Sequence, residues 1–351
     1  MSNIRTLLLG IAVCALVLPA LPARGQEDEI LPKHIDKKTQ LAIQKGLKFL
    51  ADSQSDNGSW ESFRDGATYP TTMTSLAGMA FLSNGNTTSR GPYADQVHKA
   101  SGFVMAQSGD YGLIADRREI GMSMYGHGFS LLFLSCAYGM ETDAEKRKQM
   151  SDVLKAGILL TSRGQSQLGG WTYTPGSGDE GSVTVTQMQG LRAAHNAGLT
   201  VPKGTIKAAI KYLEACRGPE GGIVYSYASG GGSRLPISAA AITCLYSAGE
   251  YESPLAEQCL KYVTGQFKRS SRGFSVDGGH DFYTHLYASQ AFYQAGDEYW
   301  DDYFPKAREQ LLKRQQKDGS WVGDGVGPVY GTAIALIVLQ LPYKYLPIYQ
   351  R

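Results

Sequence analysis

DNGSW at 56–60 and KDGSW at 317–321 are the same small turn, written near both ends of a 351-residue chain. Each closes a stretch with apolar residues at three- and four-residue steps, and each has glutamine just behind it: Gln54 in the first copy, Gln315 and Gln316 in the second. A turn repeated so far apart calls for copies in between. A glycine followed within one or two residues by a large apolar residue recurs at Trp60, Tyr111, Trp171, Ile223, Phe274 and Trp321, in NGSW, SGDY, LGGW, EGGI, SRGF and DGSW. Intervals of about 50 residues are the signature of a repeat architecture.

A second ladder has the same period. LSNG, CAYG, HNAG, YSAG and YQAG end at Gly85, Gly139, Gly198, Gly249 and Gly296. Glycine there suits a helix C-terminus, where the next residue often turns left-handed. Before each of these glycines runs an apolar, Ala-rich helix, such as ISAAAITCLYSA; the sixth, GTAIALIVLQL, is stopped by Pro342. Before each turn runs a more amphipathic helix, such as TIKAAIKYLEACRG, with Lys, Arg and Glu between its apolar positions. Each unit therefore reads as an outer half-wet helix, a Gly-rich turn, a loop and a buried inner helix. Six such hairpins predict an all-α fold, an (α/α)6 toroid of six inner helices inside six outer ones, whose end repeats hide against each other.

The N-terminus stands apart from this pattern. TLLLGIAVCALVLPAL is an unbroken apolar run after MSNIR, followed by the small-residue stretch PARGQ. It reads as a secretory signal peptide over residues 1–25, cut before Gln26, with residues 26–351 as one domain in a secreted or periplasmic protein. An uncleaved anchor is the alternative reading, and no other stretch is apolar enough to span a bilayer. Removing 1–25 takes away Arg5 and Arg24 and no acid, leaving 32 basic and 32 acidic residues. A neutral chain without a basic run is a poor nucleic-acid binder. Cys136, Cys216, Cys244 and Cys259 form no CxxC pair, so no zinc ribbon is expected. Repeat spacing places Cys244 and Cys259 on neighbouring helices at similar depth.

The repeat Gln-x-x-x-Gly-x-Trp, carried by Gln54 to Trp60 and Gln315 to Trp321, with Gln167 close to Trp171, resembles that of squalene-hopene cyclases and protein prenyltransferase β subunits. The resemblance covers essentially residues 36–345 and implies the same toroid. In physical terms the motif is structural: Trp fills the gap between outer helices, Gly lets the chain turn, and the Gln amide bonds free groups at a helix end.

What the resemblance implies for chemistry is not matched by the residues. The cyclases carry Asp-x-Asp-Asp-Thr at the start of an inner helix, a carboxylate cluster able to hold a proton on a perturbed acid. The corresponding stretch here is SVTVT, Ser182 to Thr186, with no acid. The prenyltransferases bind zinc through Asp-x-Cys and a His in the next repeat. Here HDFYTH puts Thr284 where that His belongs and His285 one place on, and SRLPISAAAI offers neither Asp nor Cys. No cofactor and no metal are expected.

What remains is the rim where the inner helices begin. Helix N-termini carry free amides and a partial positive charge that suit an anionic or polyhydroxyl ligand. The loops arriving there bring Tyr125 and His127 (second repeat), Tyr173, Asp179 and Glu180 (third), Tyr225, Tyr227 and Arg234 (fourth), and Asp277, His280, Asp281, Tyr283 and His285 (fifth). The sequence points to Tyr125, His127, Tyr173, Asp179, Tyr225, Arg234, His280 and Tyr283 as ligand-binding. Asp281, His285 and Glu180 are the candidates for catalysis, facing the lumen together, with His127 and His285 at one level of the inner ring. Each also has a plain reading: Asp281 as the N-cap of its helix, Asp179 and Glu180 as solvated loop acids.

Two readings of function are open. One is an exported monomeric toroid that holds a small molecule, glycan, lipid or peptide at its rim or lumen without turnover. The other is an enzyme, either a divergent terpenoid cyclase or a carbohydrate hydrolase or lyase using rim carboxylates, for which Glu180 and Asp281 are the only plausible pair.

Overall fold

The computed structural model describes residues 31–64, 67–270, 274–276 and 279–350. The chain divides into two units, Met1–Leu31 and Pro32–Arg351, and the repeat pattern lies in the second. The expected signal peptide, and Asp277 of the fifth loop, lie outside the described residues.

Twelve α-helices alternate between two layers among the described residues. The outer ones are α1 (Lys37–Asp52), α3 (Ala94–Ala106), α5 (Ala144–Arg163), α7 (Lys203–Ala215), α9 (Pro254–Arg269) and α11 (Asp297–Arg314). Each buries one stripe; α1, for instance, buries Ile43, Leu47 and Leu50 and exposes its lysines. The inner ones are α2 (Pro70–Leu82), α4 (Ser123–Met140), α6 (Gly181–Asn196), α8 (Leu235–Ser247), α10 (Asp281–Ala295) and α12 (Pro328–Gln340). These are buried over most of their surface, and every residue of α2 and α8 is buried. A short hairpin, β1 (Phe63–Arg64) with β2 (Ala67–Thr68), interrupts the first loop.

Each inner helix packs on the next, and α12 packs back on α2, so the ring is closed. The seam is held by long-range bonds. Gln340 Nε2 donates to Ala80 O at 3.0 Å, Gln315 Nε2 to Ala42 O at 2.8 Å, and Arg308 Nη1 to His34 O.

The turn motif accounts for most of this geometry. Gln54, Gln165 and Gln315 each donate through Nε2 to a carbonyl of their own turn (Gly58, Gly169, Gly319) and to one on the next outer helix (Gln96, Thr205, Ala42). The clamping glutamine of the third repeat is thus Gln165, not Gln167. Trp60, Trp171 and Trp321 are buried, and their Nε1 atoms donate to Leu50 O, Thr161 O and Leu311 O at 2.7–2.8 Å. The glycine two residues earlier is left-handed in every described copy: Gly58, Gly112, Gly169, Gly221 and Gly319, at φ of +86° to +97°. A Cβ on Gly58, Gly112, Gly169 or Gly319 would also collide with a backbone carbonyl of the next outer helix, so no other residue fits.

Two details differ from expectation. In the second repeat Ile114, fully buried, takes the place of the tryptophan, while Tyr111 is 89% exposed. Gly112 stands two residues before Ile114, as Gly58 stands before Trp60, so the alignment shifts by three. Gly85, Gly198, Gly249 and Gly296 have positive φ after their inner helices, but Gly139 lies inside α4, which runs on to Met140.

Candidate functional site

The inner helices enclose a cavity of about 690 Å³ that opens at the rim where they begin. Its deeper wall is apolar: Met73 and Leu76 from α2, Phe129 from α4, Ile237 from α8, Leu286 from α10 and Ile334 from α12. Its mouth is phenolic and charged, with Tyr69, Tyr173, Tyr225 and Tyr330 around Arg234, His280 and Asp324. The far end of the ring is shut. Gln189 Nε2 on α6 donates to Gln290 Oε1 on α10 at 2.7 Å, across the ring from one helix to the next but one. The C-terminal turn Pro347–Tyr349 packs against the same two helices, with Ile348 and Tyr349 buried. The lumen is therefore a blind cup.

Six of the residues expected to bind line this cup: Tyr125, Tyr173, Tyr225, Arg234, His280 and Tyr283. The Tyr173 and Tyr225 hydroxyls meet at 2.7 Å, and the ring of Tyr125 lies beside those of Phe129 and Tyr283. Burial raises the pKa of all four of these tyrosines, so they stay neutral donors. Arg234 and His280 stand at the N-caps of α8 and α10 with exposed side chains.

The structure turns the two inner-ring histidines away from the cup. His127 Nδ1 accepts from Ile114 N at 3.1 Å, and its Nε2 bonds Thr161 Oγ1 at 2.9 Å. His285 Nε2 donates to Phe274 O at 2.9 Å, and its Nδ1 meets Tyr303 Oη at 2.7 Å. These are the places where Thr74, Thr184, Ser238 and Thr332 hold the turn residues Trp60, Trp171, Ile223 and Trp321 by their backbone N–H. The shared level of the two histidines is real, but it is the level of the turn, on the outward side of the inner helices. Burial pushes both imidazoles down to about 4, so they are neutral.

The carboxylates expected to face the lumen together do not meet there either. Glu180 is buried as the N-cap of α6, accepting from Ser182 N at 2.9 Å and Val183 N at 2.6 Å. Burial raises its pKa. Asp281 opens α10 but is its first residue rather than its cap, and it accepts from Ser275 Oγ at 2.7 Å and Val276 N at 2.8 Å. Asp179 sits beside Tyr212 and Cys216, off the cup.

The rim amides are also largely taken, which corrects the expectation of a row of free donors. The loop of the following repeat caps the inner helix before it. Glu119 Oε1 accepts from Thr71 N, Tyr173 O from Met124 N, Tyr225 O from Gly181 N, and Asp324 from Phe282 N and Tyr283 N. Asp324 is the acid of the cup wall that sequence reading passed over. Its signal was its place between two glycines in VGDGVG, where it takes φ of +47°. Burial raises its pKa against the pull of its two N–H donors.

No family model and no curated protein matches the chain. Solved structures do. The type II terpene cyclase MstE from Scytonema superposes with a TM-score of 0.61 at 15% identity, covering 88% of this chain and 99% of the other. An alpha-1,6-mannanase from Salegentibacter gives 0.66 at 8% identity, covering 88% and 99%. A cellobiose 2-epimerase from Spirochaeta thermophila gives 0.60 at 15% identity, covering 87% and 96%. At such identities the likeness shows the fold, an α/α toroid.

Proposed function

We propose that this protein binds an amphipathic small molecule in the blind cup, apolar body inward and polar head at the mouth, without catalysing cyclisation or prenyl transfer. The observation that carries this is the split lining: aliphatic and phenylalanine side chains at depth, tyrosine hydroxyls with Arg234, His280 and Asp324 at the opening. Pockets of this size, mostly apolar with a few convergent polar groups, are the usual form of small-molecule sites. Lipids with a hydroxylated or charged head fit that chemistry better than a glycan, which needs hydrogen bonding along its whole length.

The enzyme readings find less support. The carboxylate cluster of the cyclases has no counterpart in Ser182 to Thr186 at the start of α6, and Glu180, the N-cap there, is engaged by Ser182 N and Val183 N. Glycoside hydrolysis needs two carboxylates flanking the substrate, and among the described residues Asp324 is the one acid that lines the cup. The similar structures include a terpene cyclase, a mannanase and an epimerase, and this chain shares their scaffold at 8–15% identity.

The test is a thermal-shift and native mass spectrometry panel of isoprenoid alcohols, fatty acids and oligosaccharides, on wild type and on Met73→Trp, which fills the cup. A lipid that stabilises wild type and not the variant supports the reading. Stabilisation by oligosaccharides alone, or by a lipid equally in both, overturns it. We also propose export, with residues 1–25 removed; an intact mass from the native host that still includes Met1 would overturn that.

A further inference from the structure

The indole of each turn tryptophan spans a slot between two neighbouring outer helices. Trp321 shows its ends: Nε1 donates to Leu311 O on α11, and the far ring edge lies so close to Gly46 on α1 that a Cβ there would come within 2.8 Å of Cζ3. The same register sets fully buried Ala100 against Trp60 and Ala209 against Trp171. Where the turn residue is smaller, the neighbour is larger. Ile223 has Cys259 at that register, one residue after the Gln258 carbonyl that Gly221 faces, and beside Ile114 the Leu131 side chain reaches over Gly157.

Among the described residues the fifth repeat has neither compensation. Its turn residue is Phe274, and the register position on α11 is Ala307. A cavity of about 440 Å³ remains between α9, α10 and α11, bounded by Phe267, Phe292, Tyr299 and Tyr303 beside Phe274 and His285. Thr264 stands at one end, next to Val263, the buried place equivalent to Leu311, and Ala307 at the other, the place equivalent to Gly46. The Thr264 hydroxyl is buried with no hydrogen-bond partner among the described residues. The walls are pre-formed. His285 stacks on Phe274 at 3.8 Å between ring centroids, and its two ring nitrogens are tied to Tyr303 Oη and Phe274 O.

We propose that this slot is a second binding site, separate from the cup, for a free planar bicyclic aromatic molecule of the indole class. The ligand occupies the space that sibling repeats fill with their own tryptophan, with its ring N–H directed to Thr264. The slot's aromatic side favours offset-stacked and edge-to-face partners, while Lys268, Glu298, Asp302, Lys306 and Glu309 line its outer side.

Indole itself is the probe, titrated by calorimetry and thermal shift into the full chain. Saturable binding to wild type is expected. Phe274→Trp restores the internal filling, so it should raise the melting temperature without ligand and weaken indole at least about tenfold. Ala307→Leu fills the other end of the slot and should weaken indole similarly, which keeps the test intact if the tryptophan variant folds poorly. Met73→Trp, which blocks only the cup, should leave indole binding unchanged. No saturable binding to wild type, undiminished binding in both slot variants, or loss of binding in Met73→Trp would each overturn the proposal.

Discussion

Asp324 accepts the backbone N–H of Tyr283 at 3.0 Å, from a loop 41 residues further along the chain. Its other oxygen takes Phe282 N, also at 3.0 Å, so an acid of the sixth repeat caps the inner helix of the fifth. Glu119 does the same for α2 from the second repeat. The inner helices α2, α4, α6 and α10 are thus completed by a neighbouring repeat, which couples the repeats at the rim as the Gln clamps couple them at the turns.

Removing that cap should cost what an N-cap costs. Asp324→Ala is expected to lose about 1–2 kcal/mol in denaturant melts. Asp324→Asn, which tolerates the left-handed backbone, should recover part of it. No loss in the alanine variant would mean that water replaces the carboxylate.

Trp171 is 1% exposed and its indole joins two elements through Thr161 O. Trp171→Ala should cost about 3–5 kcal/mol, as deletion of a buried aromatic does. An unchanged melting point, with loss of ligand binding instead, would assign the residue to a site.

Stability should fall in acid because of the two buried histidines. Both have folded pKa values near 4 against the ordinary value of 6.5, so the unfolded chain binds more protons between those limits. Stability is then full above pH 6.5 and is lost as pH falls toward 4, by on the order of 3 kcal/mol for each histidine. Glu119, Glu180 and Asp324, raised by burial, act in the opposite sense and blunt the slope. His127→Thr, the residue found at the equivalent place in α2, α6 and α12, should flatten the dependence of the urea midpoint on pH between 6.5 and 4.5. An unchanged slope would show that His127 is protonated in the fold.

The closed seam predicts one cooperative transition. Gln315→Ala removes two bonds, one of them to α1 across the closure, and should lower stability by about 1–2 kcal/mol while the melt stays single. A separate early transition in wild-type circular dichroism would show that the ring does not melt as a unit.

The turn and its period were legible in the sequence because both are local. A left-handed glycine two residues before a buried anchor, and apolar residues at helical steps, are written in neighbouring positions, and six copies close most simply into a ring. Tyr125, Tyr173, Tyr225 and Tyr283 of the cup were legible for the same reason, standing in loops and first helical turns that the repeat delivers to one rim, whereas Tyr69 and Tyr330 were passed over. What escaped was rotation and distance. His127 and His285 sit at the correct level, yet whether a side chain at that level faces the lumen or the turn depends on how α4 and α10 are rolled against the outer helices. Thr74, Thr184 and Thr332 mark that level as the turn's only through the hydrogen bonds they make in the folded chain. Asp324 caps a helix of another repeat, Ile348 and Tyr349 help shut a lumen formed far upstream, and the empty slot needs Phe274 and Ala307 together. So the sequence by itself determined the repeat, the helices and the toroid, since backbone conformation and amphipathic period are properties of adjacent residues. The tertiary structure alone decided which polar groups face the cup, where it closes and where packing leaves room, since those depend on side chains brought together from distant parts of the chain.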